Sequence, residues 1–174
     1  MTKLPDPALL EAAERFSAPK SELSAEGMPE VRKASRAARV ALTGRLSNSV
    51  EVTDEDGLRR FTPKAGADPS LVIVYFHGGG WANCDTVTHG GIMTDLAALS
   101  GHVVIGPDYP LAPENPYPAA LDVTCAAVRR TAVEAPEARI VLAGDSAGAN
   151  LALATALRLR DEGKGEPLAA LLLW

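Results

Sequence analysis

Cysteine is almost missing from this chain of 174 residues. Cys84 and Cys125 stand far apart, without CxxC spacing, which excludes a disulfide framework and a cysteine-bound zinc site. Histidine is nearly as scarce, at His77, His89 and His102. The longest apolar runs, Leu71 to Phe76 and Leu168 to Trp174, fall far short of the roughly 18 residues a bilayer crossing needs, so no membrane span is expected. Basic side chains are in the minority, 17 against 22 acidic, for a net charge of -5. That balance argues against nucleic acid as the main partner, because neutralising phosphates takes a basic stripe. The segment Met1 to Leu10 lacks the basic-then-apolar order of a secretory signal, so the expected compartment is cytoplasmic. The rest, 47% hydrophobic and 22% charged, suits a soluble protein with one core and a small or protein partner.

Asp6 as N-cap and Pro7 at the first helical position, followed by Leu9, Leu10, Ala13 and Phe16, predict a helix near residues 7–17. A second helix is expected past Pro29, with Val31, Ala34, Ala38 and Leu42 forming the packed side and Arg32, Lys33, Arg36 and Arg39 a solvated one. Val50 and Val52 alternate with polar residues, Asp56-Gly57 signals a turn, and Leu58 and Phe61 follow, which together predict an edge hairpin. Three apolar strands then alternate with helices: Leu71 to Phe76, Val103 to Ile105 and Arg139 to Ala143. Core stripes are expected at Ile92, Leu96 and Leu99, and at Leu121, Cys125 and Val128. A helix near Ala147 to Arg160 precedes one more buried strand, Leu168 to Trp174. Strands that are apolar throughout and alternate with helices indicate an α/β fold: a mostly parallel sheet with helices on both faces.

Chemistry concentrates at Gly144-Asp145-Ser146-Ala147-Gly148, a G-x-S-x-G run between a predicted strand and a predicted helix. A serine on so sharp a turn exposes its oxygen at the carboxyl end of the sheet, and the helix after it offers free N–H groups and a positive dipole end. Ser146 is therefore a candidate nucleophile; taken alone, the run also fits an ordinary turn with a serine N-cap. His77-Gly78-Gly79-Gly80-Trp81 follows the strand Leu71 to Phe76 directly. Such a loop turns backbone N–H groups towards one point with no side chains in the way, as an oxyanion requires. The N–H of Ala147, the residue after the serine, is expected to join them.

These elements, with Thr88-His89, Asp108-Tyr109-Pro110-Leu111-Ala112-Pro113-Glu114 and Pro116-Tyr117-Pro118-Ala119-Ala120, resemble the hormone-sensitive-lipase-like carboxylesterases, the α/β-hydrolase fold-3 group. The resemblance covers most of Leu71 to Trp174, while residues 1–46 look generally like the family's N-terminal cap helices. Pro110 departs from the arginine these enzymes commonly carry there. The resemblance implies hydrolysis of short- to medium-chain acyl esters through an acyl-serine intermediate, with Ser146 attacking, Gly78, Gly79 and Ala147 holding the oxyanion, and no metal or organic cofactor. It implies a loop-shaping role for His77, a supporting role for Asp108 and Glu114, and no proton transfer by Asp145.

A serine nucleophile needs a histidine base and an acid to orient it, and in this fold both follow the serine in the chain. No histidine follows Ser146. Asp161, Glu162 and Glu166 begin about 20 Å along the helix, at 1.5 Å per residue, too far to complete a triad. The sequence thus reads as an incomplete α/β-hydrolase fold: cap helices over 1–46 and the N-terminal part of the core over 47–174, truncated before the triad acid and histidine. Little turnover is expected from it alone. Its last strand is expected to lack a neighbour and to favour self-association. The alternatives are a non-catalytic ligand-binding protein of the same fold and a non-functional gene remnant.

Overall fold

The computed structural model describes residues 26–174, so the helix expected near 7–17 lies outside the described residues. An N-terminal helix, α1 (Met28–Thr43), precedes an antiparallel hairpin, β1 (Val50–Glu55) and β2 (Leu58–Pro63). Asp56 and Gly57 form its two-residue loop, both at positive φ, 48° and 76°, the backbone twist that lets two strands return on each other tightly. Then β3 (Leu71–Phe76), α2 (Gly90–Ser100), β4 (Val103–Pro107), α3 (Ala119–Glu134), β5 (Arg139–Gly144), α4 (Ala147–Asp161) and β6 (Leu168–Leu173) follow in turn.

The strands form one sheet in the order β1-β2-β4-β3-β5-β6. The β4, β3, β5 and β6 strands run parallel, with β1 and β2 antiparallel at one edge. Strand alternation divides the core between the two faces. Val74, Phe76, Ile140 and Leu142 pack with Leu121, Cys125, Val128 and Leu151 beneath α3 and α4. On the other face Ile73, Tyr75, Val104 and Ala143 meet Met93 and Ala97 of α2. β3 lies between β4 and β5, so its carboxyl end and that of β5 open side by side. The HGGG loop leaves the first end and the serine turn leaves the second.

Three expectations need correcting. The α2 core stripe is Met93 and Ala97, with Ile92 and Leu96 only partly buried and Leu99 89% exposed. The strand β6 pairs with β5 but is not buried, since Ala169–Leu173 are exposed along an edge that has no partner among the described residues. On α1 the expected faces are reversed. Ala34, Ala38 and Leu42 are exposed, and the helix docks through Arg32, Ser35, Arg36 and Thr43, which bond to the segment 82–88. Loop carbonyls and carboxylates on the body supply the acceptors, so the polar side of the helix is the attached one.

Candidate active site

Ser146 sits where β5 becomes α4, with φ 52° and ψ -118°. A non-glycine residue there is strained by about 1–3 kcal/mol, a cost that persists only where the surroundings dictate the turn. Those surroundings are two close approaches. A Cβ at Gly148 would meet the Phe76 carbonyl oxygen at 1.9 Å, and one at Gly144 would meet the Gly148 backbone at 2.5 Å. β3, β5 and α4 thus touch backbone to backbone around the turn. The β6 end holds it from the other side: the Ser146 N–H donates to the Trp174 carbonyl at 2.7 Å, and the Trp174 N–H donates to the Gly144 carbonyl at 3.2 Å. Ser146 itself is exposed.

Across from it the HGGG loop is built to aim backbone. Gly79, Gly80 and Trp81 have positive φ of 123°, 63° and 58°. The Gly79 carbonyl accepts the N–H groups of Ala82 and Asn83, closing the turn, and a Cβ on Gly79 would strike the Asn83 carbonyl at 2.1 Å. His77 is buried against Tyr109, their rings stacked at 4.2 Å. Its Nδ1 lies 2.8 Å from the Gly78 carbonyl, and the Tyr109 hydroxyl donates to the His77 carbonyl at 2.6 Å. Burial pushes the His77 pKa down, so its ring is a neutral part of the loop's scaffold. Asp108 accepts from the Thr86 N–H and hydroxyl and Glu114 pairs with Arg32; both hold loops together.

The structure departs from the expected oxyanion set at one residue. The Gly78 N–H donates to Asp145 Oδ1 at 2.8 Å, and it is therefore spent on a carboxylate. The N–H groups of Gly79, Gly80 and Ala147 have no acceptor among the described residues. Sequence reasoning also missed the cluster around Asp145. Its Oδ1 accepts the Tyr75 hydroxyl at 2.6 Å, and His89 Nε2 lies 3.6 Å away, too far for a hydrogen bond. Burial raises the Asp145 carboxyl pKa, but His89, Tyr75 and the Gly78 N–H together outweigh it and hold it at about 2. The same carboxylate, with burial as the larger cause, drives the Tyr75 hydroxyl pKa up. The only legible signal was the polar Tyr75 within an otherwise aliphatic and aromatic strand.

None of the three histidines is placed as a base for Ser146: His77 is buried in the loop, His89 faces Asp145, and His102 bonds the Asp68 carbonyl at the amino end of β4. A cavity of about 330 Å³ lies beside the serine turn, lined by Trp81, Ala112, Tyr117, Leu121, Asn150 and Leu151 among others. No group of histidine, cysteine and acidic residues among the described ones is arranged to hold a metal.

A parallel sheet whose carboxyl edge carries a strained serine and a triglycine loop defines an α/β hydrolase, and the comparisons with known proteins agree. Residues 73–174 match the sequence model for the alpha/beta hydrolase fold. The chain belongs to that family, in its hormone-sensitive-lipase-like carboxylesterase branch. It is 41% identical over 122 residues to the carboxylesterase NlhH of Mycobacterium tuberculosis, covering 67% of this chain and 38% of that protein. To the esterase LipI of the same organism it is 45% identical over 125 residues, covering 68% and 39%. The structure of a hormone-sensitive lipase from a metagenome library superposes with a TM-score of 0.78 at 31% identity, covering 95% of this chain and 54% of that one. The match thus spans about two fifths of the length of these curated relatives. No described helix is long and apolar enough to cross a membrane.

Proposed function

We propose that this chain carries the nucleophile and oxyanion hole of a carboxylic ester hydrolase that works through an acyl-serine intermediate. The observation that carries this reading is Ser146, exposed and held at φ 52° at the end of β5, next to the β3 end whose loop carries the Gly79 and Gly80 N–H groups; like that of Ala147, these have no acceptor among the described residues. Ser146 Oγ attacks the ester carbonyl, the hydroxyl proton passes to a base, and the tetrahedral oxyanion takes hydrogen bonds from Gly79, Gly80 and Ala147. Each such donor contributes about 10²- to 10³-fold in rate. The collapse expels the alcohol and leaves the acyl group on Ser146 until water releases it. The cavity beside Trp81 and Leu151 is near the small end of the range for small-molecule sites, which suits an apolar acyl or alcohol group of short to medium length.

Since no histidine among these residues is placed as the base, the 174-residue chain is expected to acylate slowly, and an external base should speed it. The test is intact-protein mass spectrometry after exposure to p-nitrophenyl butyrate, with and without imidazole. The expected result is a single butyryl adduct on Ser146 that forms faster with imidazole and is missing in Ser146→Ala. An equal adduct in Ser146→Ala would overturn the nucleophile assignment. Saturable binding of the ester without any adduct would favour a ligand-binding role for the same site.

A further inference from the structure

Arg32 of α1 makes four hydrogen bonds to two separate segments of the body, the loop at Ala82 and the stretch from Ala112 to Glu114. Nε donates to the Ala82 carbonyl at 2.7 Å, Nη2 to the Ala112 carbonyl at 2.7 Å, and Nη1 and Nη2 to the two carboxylate oxygens of Glu114 at 2.8 and 2.7 Å. The side chain is only 22% exposed. Ala82 closes the turn that begins at Gly79, since its N–H donates to the Gly79 carbonyl at 3.2 Å. Ala112 is tied to the same loop, its N–H donating to the Trp81 carbonyl at 2.8 Å. Trp81 and Ala112 both line the cavity beside the serine turn. The other ion pair from this helix to the body, Arg36 with Asp85, is single and more exposed.

We propose that Arg32 is a positioning residue for the oxyanion loop: its fork fixes the exit of the triglycine turn and the adjoining cavity wall through the Ala82 and Ala112 carbonyls. Two carbonyls from different segments meet one rigid guanidinium, so moving either segment breaks a charge-assisted bond. A lysine has a single ammonium on a flexible stem and cannot reproduce that fork. Glu114 holds the guanidinium in place, while the carbonyl bonds do the positioning. The N-terminal helix is thereby coupled to the triglycine loop through the hydrogen bonds of Arg32. This role rests on the ester-hydrolase reading for its purpose, but its geometry can be tested without any chemistry at Ser146.

The test is amide hydrogen exchange on the 174-residue chain, comparing Arg32→Lys, Glu114→Gln and Arg36→Ala with the parent, and reading the Ala82 and Asn83 amides, which donate to the Gly79 carbonyl, against core amides of β3 and β5. Arg32→Lys should speed exchange at Ala82 and Asn83 by about tenfold or more, the loss of one bond to a charged donor, with the core amides unchanged. Glu114→Gln keeps the fork and its carbonyl bonds, and should stay within about threefold there, the exchange equivalent of less than one such bond. Arg36→Ala should affect α1 but not the loop. If Arg32→Lys loosens α1 and leaves the loop amides as they were, Arg32 is a helix anchor and the proposal fails. It fails also if Glu114→Gln loosens the loop as much as Arg32→Lys, because the ion pair would then be the determinant. None of these readings depends on whether Ser146 is acylated, so failure of the hydrolase reading would show separately.

Discussion

Asp145 and Gly78 are locked together in two ways. Asp145 Oδ1 accepts the Gly78 N–H at 2.8 Å, and Asp145 Oδ2 stands 2.1 Å from where a Cβ on residue 78 would be. The residue before Ser146 therefore occupies the space that any side chain at the first loop glycine would need. Gly78→Ala must push the carboxylate aside and break its bond to Tyr75. We expect a loss of about 1–3 kcal/mol, the usual cost of overpacking a tight site, measured by urea unfolding against the parent chain.

The strain at Ser146 is separable from its chemistry. At φ 52° a glycine is comfortable and an alanine is not. Ser146→Gly should therefore be more stable than Ser146→Ala by about 1 kcal/mol, although both lack the hydroxyl. Equal stability of the two variants in urea would mean that the turn stores no strain.

Gly148→Ala should be far worse than a typical surface change. Its Cβ would lie 1.9 Å from the Phe76 carbonyl oxygen, a backbone atom that cannot swing away as a side chain can. The expected loss is about 3 kcal/mol or more, read as a lower unfolding midpoint. A neutral result would show that β3 and α4 can separate without disturbing the turn.

Asp145 makes stability depend on acid pH. Its pKa is held near 2 in the folded chain, against about 3.9 for an unfolded aspartate. A depressed acid contributes stability that is complete above the unfolded value and is lost as pH falls through the folded one. The stability gap between parent and Asp145→Asn should be widest above about pH 4 and should shrink towards pH 2. A gap that stays constant over that window would place the carboxylate's contribution outside its charge.

The elements that place the site were legible because they are built from strong local signals. Leu71–Phe76 and Arg139–Gly144 are apolar strands that end at glycine-bearing motifs, and a hairpin at Asp56-Gly57 needs only two residues to announce it. What was hidden depends on which atoms meet across the chain. The docking side of α1 was inverted because helical periodicity reports where apolar residues lie, and this helix attaches through Arg32 and Thr43 to carbonyls 45 or more positions away. On α2, Met93 and Ala97 share a face with a sheet whose position the helix sequence does not encode. Gly78 was placed among the oxyanion donors because a run of three glycines carries no mark of which N–H is already spent. Only the approach of Asp145 decides it.

The most direct test of the central claim is a crystal structure of this chain with Ser146 phosphonylated by an alkyl phosphonate ester, with imidazole supplied as base during the reaction. We predict the phosphonyl oxygen at about 2.7–3.1 Å from the amide nitrogens of Gly79, Gly80 and Ala147, with the Gly78 N–H still on Asp145. An adduct on Ser146 whose oxygen points into solvent, or one bound by Gly78 in place of Gly80, would contradict it.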